Sequence, residues 1–383
     1  MKVAIINITG GGMSGGYRKY LVNIIPRMAT HPKVESLLCA SPMSIDVKEW
    51  FEPYDNIKFI NIPPFSILGN RIDPEFKNHL GRFSPDVVFI PVERYFRFNN
   101  YPVVNMIQNM EPFVSHIKGN PVSVRFKNLF RTINAIKAIK NADRIIAISR
   151  FVKDFLVNKW KIPQERIGLV YHGIDISENK LLERPDIIPG GWNGRFLFTA
   201  GSIRPARGLE DVLSALEHLS DKSLISGLVI AGEITPDMMK YQNHLKDWIQ
   251  KNNLSSKVCW AGRLNEKEMS WCYKNCSVFI MTSRVEACPN IVLEAMANGC
   301  ICVSTNAPPM PEFFKELAFY YALGDGKALS QVIIQALGID SDKKCELSER
   351  AKKRAAVFSW DVCVEKTVAE LKKAVQDFRL QSG

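Results

Sequence analysis

Two glutamates, Glu286 and Glu294, stand on either side of the start of a predicted helix in the second half of the chain. The apolar run Val278–Met281 predicts a strand before them, and residues 290–298 have helical composition. Unpaired N–H groups and the helix dipole at such a start attract a phosphate or diphosphate. The two carboxylates would then accept hydrogen bonds from hydroxyls on both sides of the anion. This chemistry suits a sugar joined to a nucleotide by a diphosphate, and two exposed carboxylates on a helix surface are the alternative.

The elements that must position these carboxylates form a strand, a loop, a helix and a strand in succession. Pro289 suits the first helical position, Gly299 can end the helix in the left-handed conformation, and Cys300–Ser304 is the next apolar run. This succession is the unit of a parallel sheet. A strand, a glycine-rich loop and a helix also open the chain at residues 2–28 and recur at residues 196–219, which predicts two doubly wound α/β domains. Further strands are predicted at residues 36–40, 57–60, 86–91, 103–108, 144–149, 228–232 and 258–262, and further helices at 238–251, 266–273, 327–337, 346–357 and 361–378.

Composition limits the classes of protein to consider. The chain has 383 residues, long enough for two domains with proper cores, and its hydrophobic content of 46% is ordinary for a globular protein. Its net charge of +11 favours anionic partners such as nucleotide phosphates, acidic lipids or nucleic acid. The sequence shows no apolar run long enough to span a membrane, and its first residues lack the features of a signal peptide. The nine cysteines form no C-x2-C pair, so we expect no zinc site, and reduced thiols fit the cytosol best.

The segment EACPNIVLEAMANG, from Glu286 to Gly299, resembles the signature of the retaining nucleotide-sugar glycosyltransferases of family 4. It is similar to the variant of that signature with Pro-Asn where many members carry Gly-Leu. The resemblance implies the GT-B fold: two Rossmann-like domains that face each other across a cleft, with a C-terminal helix that crosses back to the first domain. It also implies that Glu286 holds hydroxyls of the donor sugar and that Glu294 holds the ribose. The other residues that it implies at the donor are Ala287 (a small residue where glycine is usual), Cys288, Pro289, Asn290 and Ile291.

The loop GSIRPARG, residues 201–208, is similar to the G-R-x-x-P-x-K-G loop of the same family. Arg207 stands where the family has a lysine, and the resemblance implies that this cation neutralises the donor diphosphate. Ser202 replaces the family arginine, and Arg204 is the candidate to supply the missing charge. Two solvent-exposed arginines are the alternative. The resemblance also implies that the backbone at Arg263 and Leu264 binds the base, and that Glu286 and Arg207 are the residues of the catalytic centre.

In the first half of the chain, the resemblance implies that the glycine-rich turn faces the donor diphosphate and the acceptor, with Gly15 and Gly16 allowing close approach of the backbone. A plain tight turn is the alternative, because the glycines do not follow the dinucleotide-binding pattern. Gln108 stands where relatives often have histidine, and a glutamine cannot act as a base. Asn109 is a candidate for binding acceptor hydroxyls. His116 is a candidate substitute for the missing histidine, and an ordinary hydrogen-bonded or surface histidine is its alternative.

The domain limits that we predict are 1–178 for the acceptor-binding domain, 179–194 for a linker rich in Pro and Gly, 195–360 for the nucleotide-sugar-binding domain and 361–383 for the crossing helix. One segment of the first domain has unusual chemistry. Residues 118–140 hold six basic residues and no acidic one, with large apolar residues at helical spacing among them. Such a helix can lie on an anionic membrane surface. A helix packed on its own domain with a solvated basic face is the alternative.

The resemblance implies a retaining hexosyltransferase that uses a nucleotide sugar, and at the level of the family it favours UDP-glucose or a similar UDP-hexose, with GDP-mannose as the alternative. The acceptor would be a hydroxyl of a glycan or lipid-linked glycan, and the expected location is cytoplasmic, peripheral at the inner face of the membrane. We expect no cofactor, no metal and no nucleic-acid partner. The sequence Asp340-Ser341-Asp342 resembles a metal-binding D-x-D pair, but it precedes the helix predicted from residue 346, so Ser341 and Asp342 are predicted to cap that helix. A glycan phosphorylase and a non-catalytic nucleotide-sugar-binding protein are the rival functions.

Overall fold

The computed structural model describes the chain except for residues 8–14, 43–46, 64–72, 95, 97, 99, 115–118, 177–180, 193, 220–223 and 383. The described chain divides into two compact units. The first comprises residues Met1–Phe113, Phe126–Gly173 and Ser359–Gly383, and the second comprises Val114–Arg125 and Ile174–Phe358. The functional domain limits given above remain a prediction.

The first unit is built on a parallel sheet of seven described strands. Their apolar runs are almost continuous, as expected for strands that are covered on both faces. In chain order they are β1 (Lys2–Ile6), β2 (Ser36–Pro42), β3 (Ile57–Ile62), β4 (Val87–Ile90), β5 (Val103–Ile107), β6 (Arg144–Ala147) and β7 (Ile167–Leu169). Their order in the sheet is β3-β2-β1-β4-β5-β6-β7. The direction of winding therefore reverses between β1 and β4, the position at which open α/β sheets bind ligands.

The second unit repeats this arrangement. Its described strands are β8 (Phe196–Ala200), β9 (Gly227–Ala231), β10 (Val258–Gly262), β11 (Val278–Met281), β12 (Cys302–Thr305) and β13 (Ala318–Tyr321). They are parallel and lie in the order β10-β9-β8-β11-β12-β13. The winding reverses between β8 and β11, so the loops that leave the carboxyl ends of these two strands adjoin the expected ligand site.

Helices connect the strands in both units. The described helices before residue 200 are α1 (Gly15–Ala29), α2 (Pro74–Phe83), α3 (Val122–Asn141) and α4 (Arg150–Trp160). Those after it are α5 (Leu209–Leu219), α6 (Met239–Lys251), α7 (Glu266–Asn275), α8 (Asn290–Ala297), α9 (Met310–Phe314), α10 (Gly326–Leu337), α11 (Ser341–Ala356) and α12 (Trp360–Ser382). Buried apolar residues of α5, α6 and α10 pack with those of β8, β9 and β11 in the core of the second unit.

The last helix, α12, belongs to the first unit although it follows the whole second unit in the chain. Arg144 at the start of β6 donates to Glu370 of α12 through Nε at 3.0 Å and Nη2 at 2.7 Å, and both side chains are about nine-tenths buried. Trp360 at the start of α12 is also buried, within ring contact of Tyr20 from α1. The two parallel sheets and the returning helix confirm the predicted fold class.

Several local predictions from the sequence differ from the structure. The short strands β7 and β13 were not predicted from the sequence. Helix α11 begins at Ser341 instead of 346, and its cap is Asp340, whose Oδ1 accepts a hydrogen bond from the N–H of Lys343 at 2.7 Å. The prediction that Ser341 and Asp342 are the capping residues is therefore wrong. Pro289 likewise lies one position outside α8, which begins at Asn290, whereas Gly299 has the expected left-handed φ of 71°.

Candidate functional site

The loop after β8 holds Arg207 against the backbone. Gly201 has a φ of +121°, which favours glycine, and a Cβ at this position would lie 2.5 Å from Cζ of Arg207. Gly208 ends the loop in the left-handed conformation, and a Cβ there would lie 2.4 Å from the carbonyl oxygen of Thr282. The two glycines therefore let the guanidinium lie flat on the start of the loop while the loop itself packs on the segment after β11.

Arg207 contacts two residues of the loop that follows β11. Its Nη1 donates to Oγ of Ser283 at 3.1 Å and forms an ion pair with Oε1 of Glu286. The side chains of Arg207 and Glu286 are only 20% and 18% exposed, so the pair is partly withdrawn from water. A guanidinium has five N–H donors, and both contacts use the same nitrogen, which leaves capacity for binding an anion. A cation suited to phosphate and a carboxylate suited to hydroxyls thus lie side by side.

The two loops are also joined by hydrogen bonds that do not involve the charged side chains of Arg207 and Glu286. Oγ1 of Thr282 donates to the carbonyl of Arg207 at 2.7 Å, and the N–H of Arg284 donates to the carbonyl of Ala206 at 2.8 Å. The guanidinium of Arg284 also donates to the carbonyl of Pro205 at 3.2 Å and to Glu210 at 3.2 Å. These contacts hold Arg207 and Glu286 on a rigid support, which preorganises a charged site.

Glu294 lies on α8, about one turn after the helix begins, and is half-buried. Its Oε2 accepts a hydrogen bond from the hydroxyl of Tyr273 on α7 at 2.9 Å. Burial, and secondly the Glu294 carboxylate, raise the pKa of Tyr273 well above its usual value, so the phenol keeps its proton and donates it to this bond. Tyr273 therefore fixes the orientation of Glu294, and the sequence analysis did not identify it.

The start of α8 is formed by the remaining residues of the motif. Ala287, Cys288 and Pro289 are buried, and Asn290 and Ile291 are half-buried. Pro289 is the N-cap residue of α8 and makes no side-chain hydrogen bond to the helix. The first turn of α8 contains no acidic side chain. This terminus therefore keeps the partial positive charge that favours an anion.

A recess of about 490 Å³ opens at the carboxyl ends of β8, β9 and β10 in the second unit. Ile203, Trp260, Glu233 and Arg263 are among the residues that line it. Arg263 is largely exposed and donates to Glu233 at 3.1 Å, while Leu264 is half-buried. In the loop at the same sheet edge, Ser202 is exposed and Arg204 is half-buried. These four predicted donor residues of the second unit therefore lie in the loops at one edge of its sheet.

The candidates of the first unit lie at the carboxyl edge of its own sheet. Gly15 and Gly16 are the first two residues of α1, and both are exposed. Gln108 follows β5 and donates its side-chain N–H to the sulfur of Met106 at 2.9 Å. Oδ1 of Asn109 accepts the N–H of Glu111 at 2.9 Å. His116 lies outside the described residues.

Glu93 is a carboxylate that the sequence analysis missed. It follows β4, and its Oε2 accepts the backbone N–H of Gln108 at 3.3 Å. Burial raises the pKa of Glu93. The pKa of Tyr17, in the first turn of α1, is raised chiefly by burial and secondly by the negative charge of Glu93. The signal that could have revealed it is an acidic residue directly after a buried strand, at the edge where α/β sheets bind ligands.

Comparison with known families agrees with this architecture. The family described as Glycosyltransferase Family 4 matches residues 15–178, and the family described as Glycosyl transferases group 1 matches residues 191–356. The chain belongs to the family 4 glycosyltransferases. The two matches correspond to the two halves that carry the repeated sheet, and the second includes Arg207, Glu286 and Glu294.

Individual relatives of this glycosyltransferase chain are distant. It is 26% identical over 174 residues to YqgM, an uncharacterized glycosyltransferase of Bacillus subtilis, with 45% of each chain covered. It is 22% identical over 244 residues to the O-antigen chain mannosyltransferase B of Escherichia coli, with 61% of each covered. The matched region thus spans between 45% and 61% of the length of these relatives. Alr3699/HepE of Anabaena, solved with UDP and with UDP-glucose, shares the fold, with a TM-score of 0.73, 16% identity, and 97% of this chain and 100% of the other covered.

Among the described residues, no group of three or more His, Cys, Asp or Glu side chains is arranged to hold a metal ion. Within the same residues, every helix is too short or too polar to cross a membrane.

Proposed function

We propose that this family 4 glycosyltransferase is a retaining hexosyltransferase that moves a hexose from a nucleotide sugar to a hydroxyl of a glycan or lipid-linked glycan. Synthesis of cell-surface polysaccharide is the setting that such a reaction suits. The observation that carries the proposal is the contact of Arg207 with Glu286 at the point where the winding of the second sheet reverses. A nucleotide sugar requires a cation for its diphosphate next to an acceptor of sugar hydroxyl protons, and this pair offers both.

In the proposed reaction, the bond between the anomeric carbon of the sugar and the diphosphate breaks. Arg207, with Arg204 and the start of α8, stabilises the negative charge that develops on the leaving diphosphate. The acceptor hydroxyl attacks from the side of the leaving group and gives its proton to the leaving phosphate. Glu286 holds hydroxyls of the sugar, and Glu294 holds the ribose in the position that Tyr273 sets.

UDP-glucose or a similar UDP-hexose is the donor that we favour, and GDP-mannose is the alternative. The complexes of HepE with UDP and UDP-glucose support the first. The name of the O-antigen mannosyltransferase supports the second. The recess beside Trp260 and Arg263 is the proposed place of the base, since an aromatic side chain and backbone groups at a strand end suit a flat heterocycle.

The acceptor is proposed to bind at the carboxyl edge of the first sheet, where Gln108, Asn109 and His116 were the candidates from the sequence. Glu93 is added to this set because its carboxylate touches the backbone of Gln108. A carboxylate in this place can accept a hydrogen bond from an acceptor hydroxyl and so orient it for attack, while its proton goes to the leaving phosphate. We also propose the location expected from the sequence, cytoplasmic and peripheral at the inner face of an anionic membrane.

A nucleotide-binding screen tests the donor site. UDP, GDP and ADP would be compared by thermal shift and then by calorimetry, and the preferred nucleotide at 100 times its dissociation constant should stabilise the fold by about 2.7 kcal/mol. Arg207→Ala should weaken that binding by about 1.5–3 kcal/mol, because a charge-assisted contact is lost. Arg350→Ala is the control. Arg350 is an exposed arginine of α11 that pairs with Glu346 on the same helix and with Glu316. Binding of no nucleotide, or equal affinity in Arg207→Ala, would overturn the proposal.

A further inference from the structure

The outward face of α3 carries an apolar stripe that the described part of the chain leaves exposed. Its five side chains are between 53% and 66% exposed. They are Val122, Phe126, Leu129, Phe130 and Ile133, called the outer stripe below. At 3.6 residues per turn these positions fall on one side of the helix. The other exposed large apolar side chains of the described chain occur singly or in pairs along the sequence, so the outer stripe is an unusual concentration.

The opposite face of the same helix already makes the contacts that a domain needs. Val124, Ala135, Ala138 and Ile139 are at most 5% exposed. The helix is therefore anchored to the protein by one apolar face and presents a second apolar face to solvent. Packing within the chain accounts for the first face only, and a surface of this size generally marks a binding site.

The charges around the outer stripe select the kind of partner. Helix α3 contains Arg125, Lys127, Arg131, Lys137 and Lys140 and no acidic residue. A second copy of the chain seated on the outer stripe would bring these cations against their own counterparts, which is unfavourable. A surface that offers acyl chains beneath a layer of phosphate groups satisfies both the apolar side chains and the cations.

We propose that the outer stripe of α3 inserts into the interface of an anionic membrane while the exposed cations that flank it on the helix bind lipid phosphates. These cations are Arg125, Lys127, Lys137 and Lys140. The proposal rests on the membrane association put forward under the proposed function and assigns it to named side chains. It also makes the expectation from the sequence, a basic amphipathic helix on such a surface, more specific, because it names the apolar side chains that enter the membrane. Burial of Phe126, Phe130 and Ile133 in the membrane contributes a hydrophobic term to the free energy of binding, and salt does not screen this term.

Vesicle flotation of the full-length protein tests this assignment, with phosphatidylcholine vesicles that contain about 30% phosphatidylglycerol. The wild type should float with the vesicles and should remain partly bound in about 0.5 M salt, where charge attraction is largely screened. The triple variant Phe126→Gln/Phe130→Gln/Ile133→Gln should lose more than about tenfold in partitioning, because glutamine keeps helix propensity but removes the apolar groups. Leu181→Gln/Ile187→Gln/Val357→Gln is the matched control, since these three exposed apolar residues lie elsewhere, and it should float as the wild type does.

Two results would overturn the proposal. Complete release by salt, with the triple variant binding like the wild type, would show a purely electrostatic contact. Absence of flotation would also overturn it, and self-association that the triple variant abolishes in sedimentation would then show that the outer stripe binds a second copy. Nucleotide affinity is measured on the same variants, so that this test is distinguished from the test of the donor site. The variants of α3 should bind the nucleotide as the wild type does, because the donor site around Arg207 is independent of α3.

Discussion

At the scale of single residues, the ion pair between Arg207 and Glu286 balances two charges to which donor-binding roles are also proposed. The pair joins side chains 79 positions apart and keeps both charges compensated in a partly buried loop. Removing the carboxylate leaves the guanidinium without its partner but still able to meet a diphosphate. Glu286 and Glu294 should therefore differ in what their loss does, although both are carboxylates of one motif.

We predict that Glu294→Gln raises the dissociation constant of the nucleotide by about tenfold or more, because a hydrogen bond to a charged group is worth about 1.5–3 kcal/mol. Glu286→Gln should leave nucleotide affinity equal or higher and should reduce sugar transfer. Tyr273→Phe, which removes the hydroxyl that orients Glu294, should shift nucleotide affinity in the same direction as Glu294→Gln but by less. Calorimetry with the nucleotide and a transfer assay separate these effects. If the two glutamate variants change nucleotide affinity and sugar transfer in the same way, the separate roles assigned to the two carboxylates are wrong.

The site residues that could be predicted from the sequence are those that lie in a contiguous motif. Glu286, Glu294 and Arg207 could each be selected from a short pattern of neighbours. The contact between Arg207 and Glu286 could not, because it depends on β8 and β11 being adjacent in the sheet. Tyr273 and Glu93 were missed for a related reason, since each acts on a residue from another element and neither stands in a pattern of its own.

At the scale of elements, α12 depends on a buried charge. Arg144 and Glu370 form a pair with little exposure, in which Glu370 also accepts from Lys373 and Arg144 also donates to Asp377. The side chain of Glu370 lies over Gly168 of β7, where a Cβ would be 2.4 Å from its Cδ. Glycine at position 168 therefore leaves the space that this carboxylate occupies.

Glu370→Gln should lower the free energy of unfolding of the first unit, because it leaves the Arg144 charge buried without its main partner. We expect the lower end of about 3–5 kcal/mol, since Asp377 still pairs with Arg144. Glu365→Gln is the control on the same helix. It removes an exposed carboxylate that pairs with His31 and Lys33, and should change stability little. Urea unfolding of both variants measures the difference, and equal midpoints would show that the buried pair does not stabilise α12.

At the scale of the whole molecule, the doubled architecture was predictable because its signal is repeated. A buried strand, a glycine-rich loop and a helix open each half, and each half folds into a sheet with the same order of its first six strands. The strands β7 and β13 were missed, and both lie at sheet edges. They are less completely buried than β4, β6, β11 and β12, which have four residues each and were predicted. A strand that is not buried on both faces lacks the continuous apolar run that reveals a strand of a parallel sheet.

The chemistry of the whole protein leads to a prediction that transfer does not require a divalent metal. A metal in such a reaction would neutralise the diphosphate, and Arg207 with Arg204 and the start of α8 already provide positive charge at the edge of the second sheet. Asp340, the first residue of the D-x-D sequence, is the cap of α11 and binds the N–H of Lys343. Its chemistry is therefore that of helix capping, at a helix end outside the loops that hold Arg207 and Glu286.

We expect sugar transfer to persist in excess EDTA, and Asp340→Ala/Asp342→Ala to keep activity within a few-fold of the wild type. The double variant should nevertheless lose stability by about 1 kcal/mol, because the cap of α11 is removed. Asp340→Asn/Asp342→Asn is the matched control, since asparagine caps a helix about as well as aspartate but binds a metal poorly. Activity that falls in EDTA and returns with manganese or magnesium would contradict the prediction, since the permanent positive charges of the loops would then be insufficient to hold the leaving diphosphate.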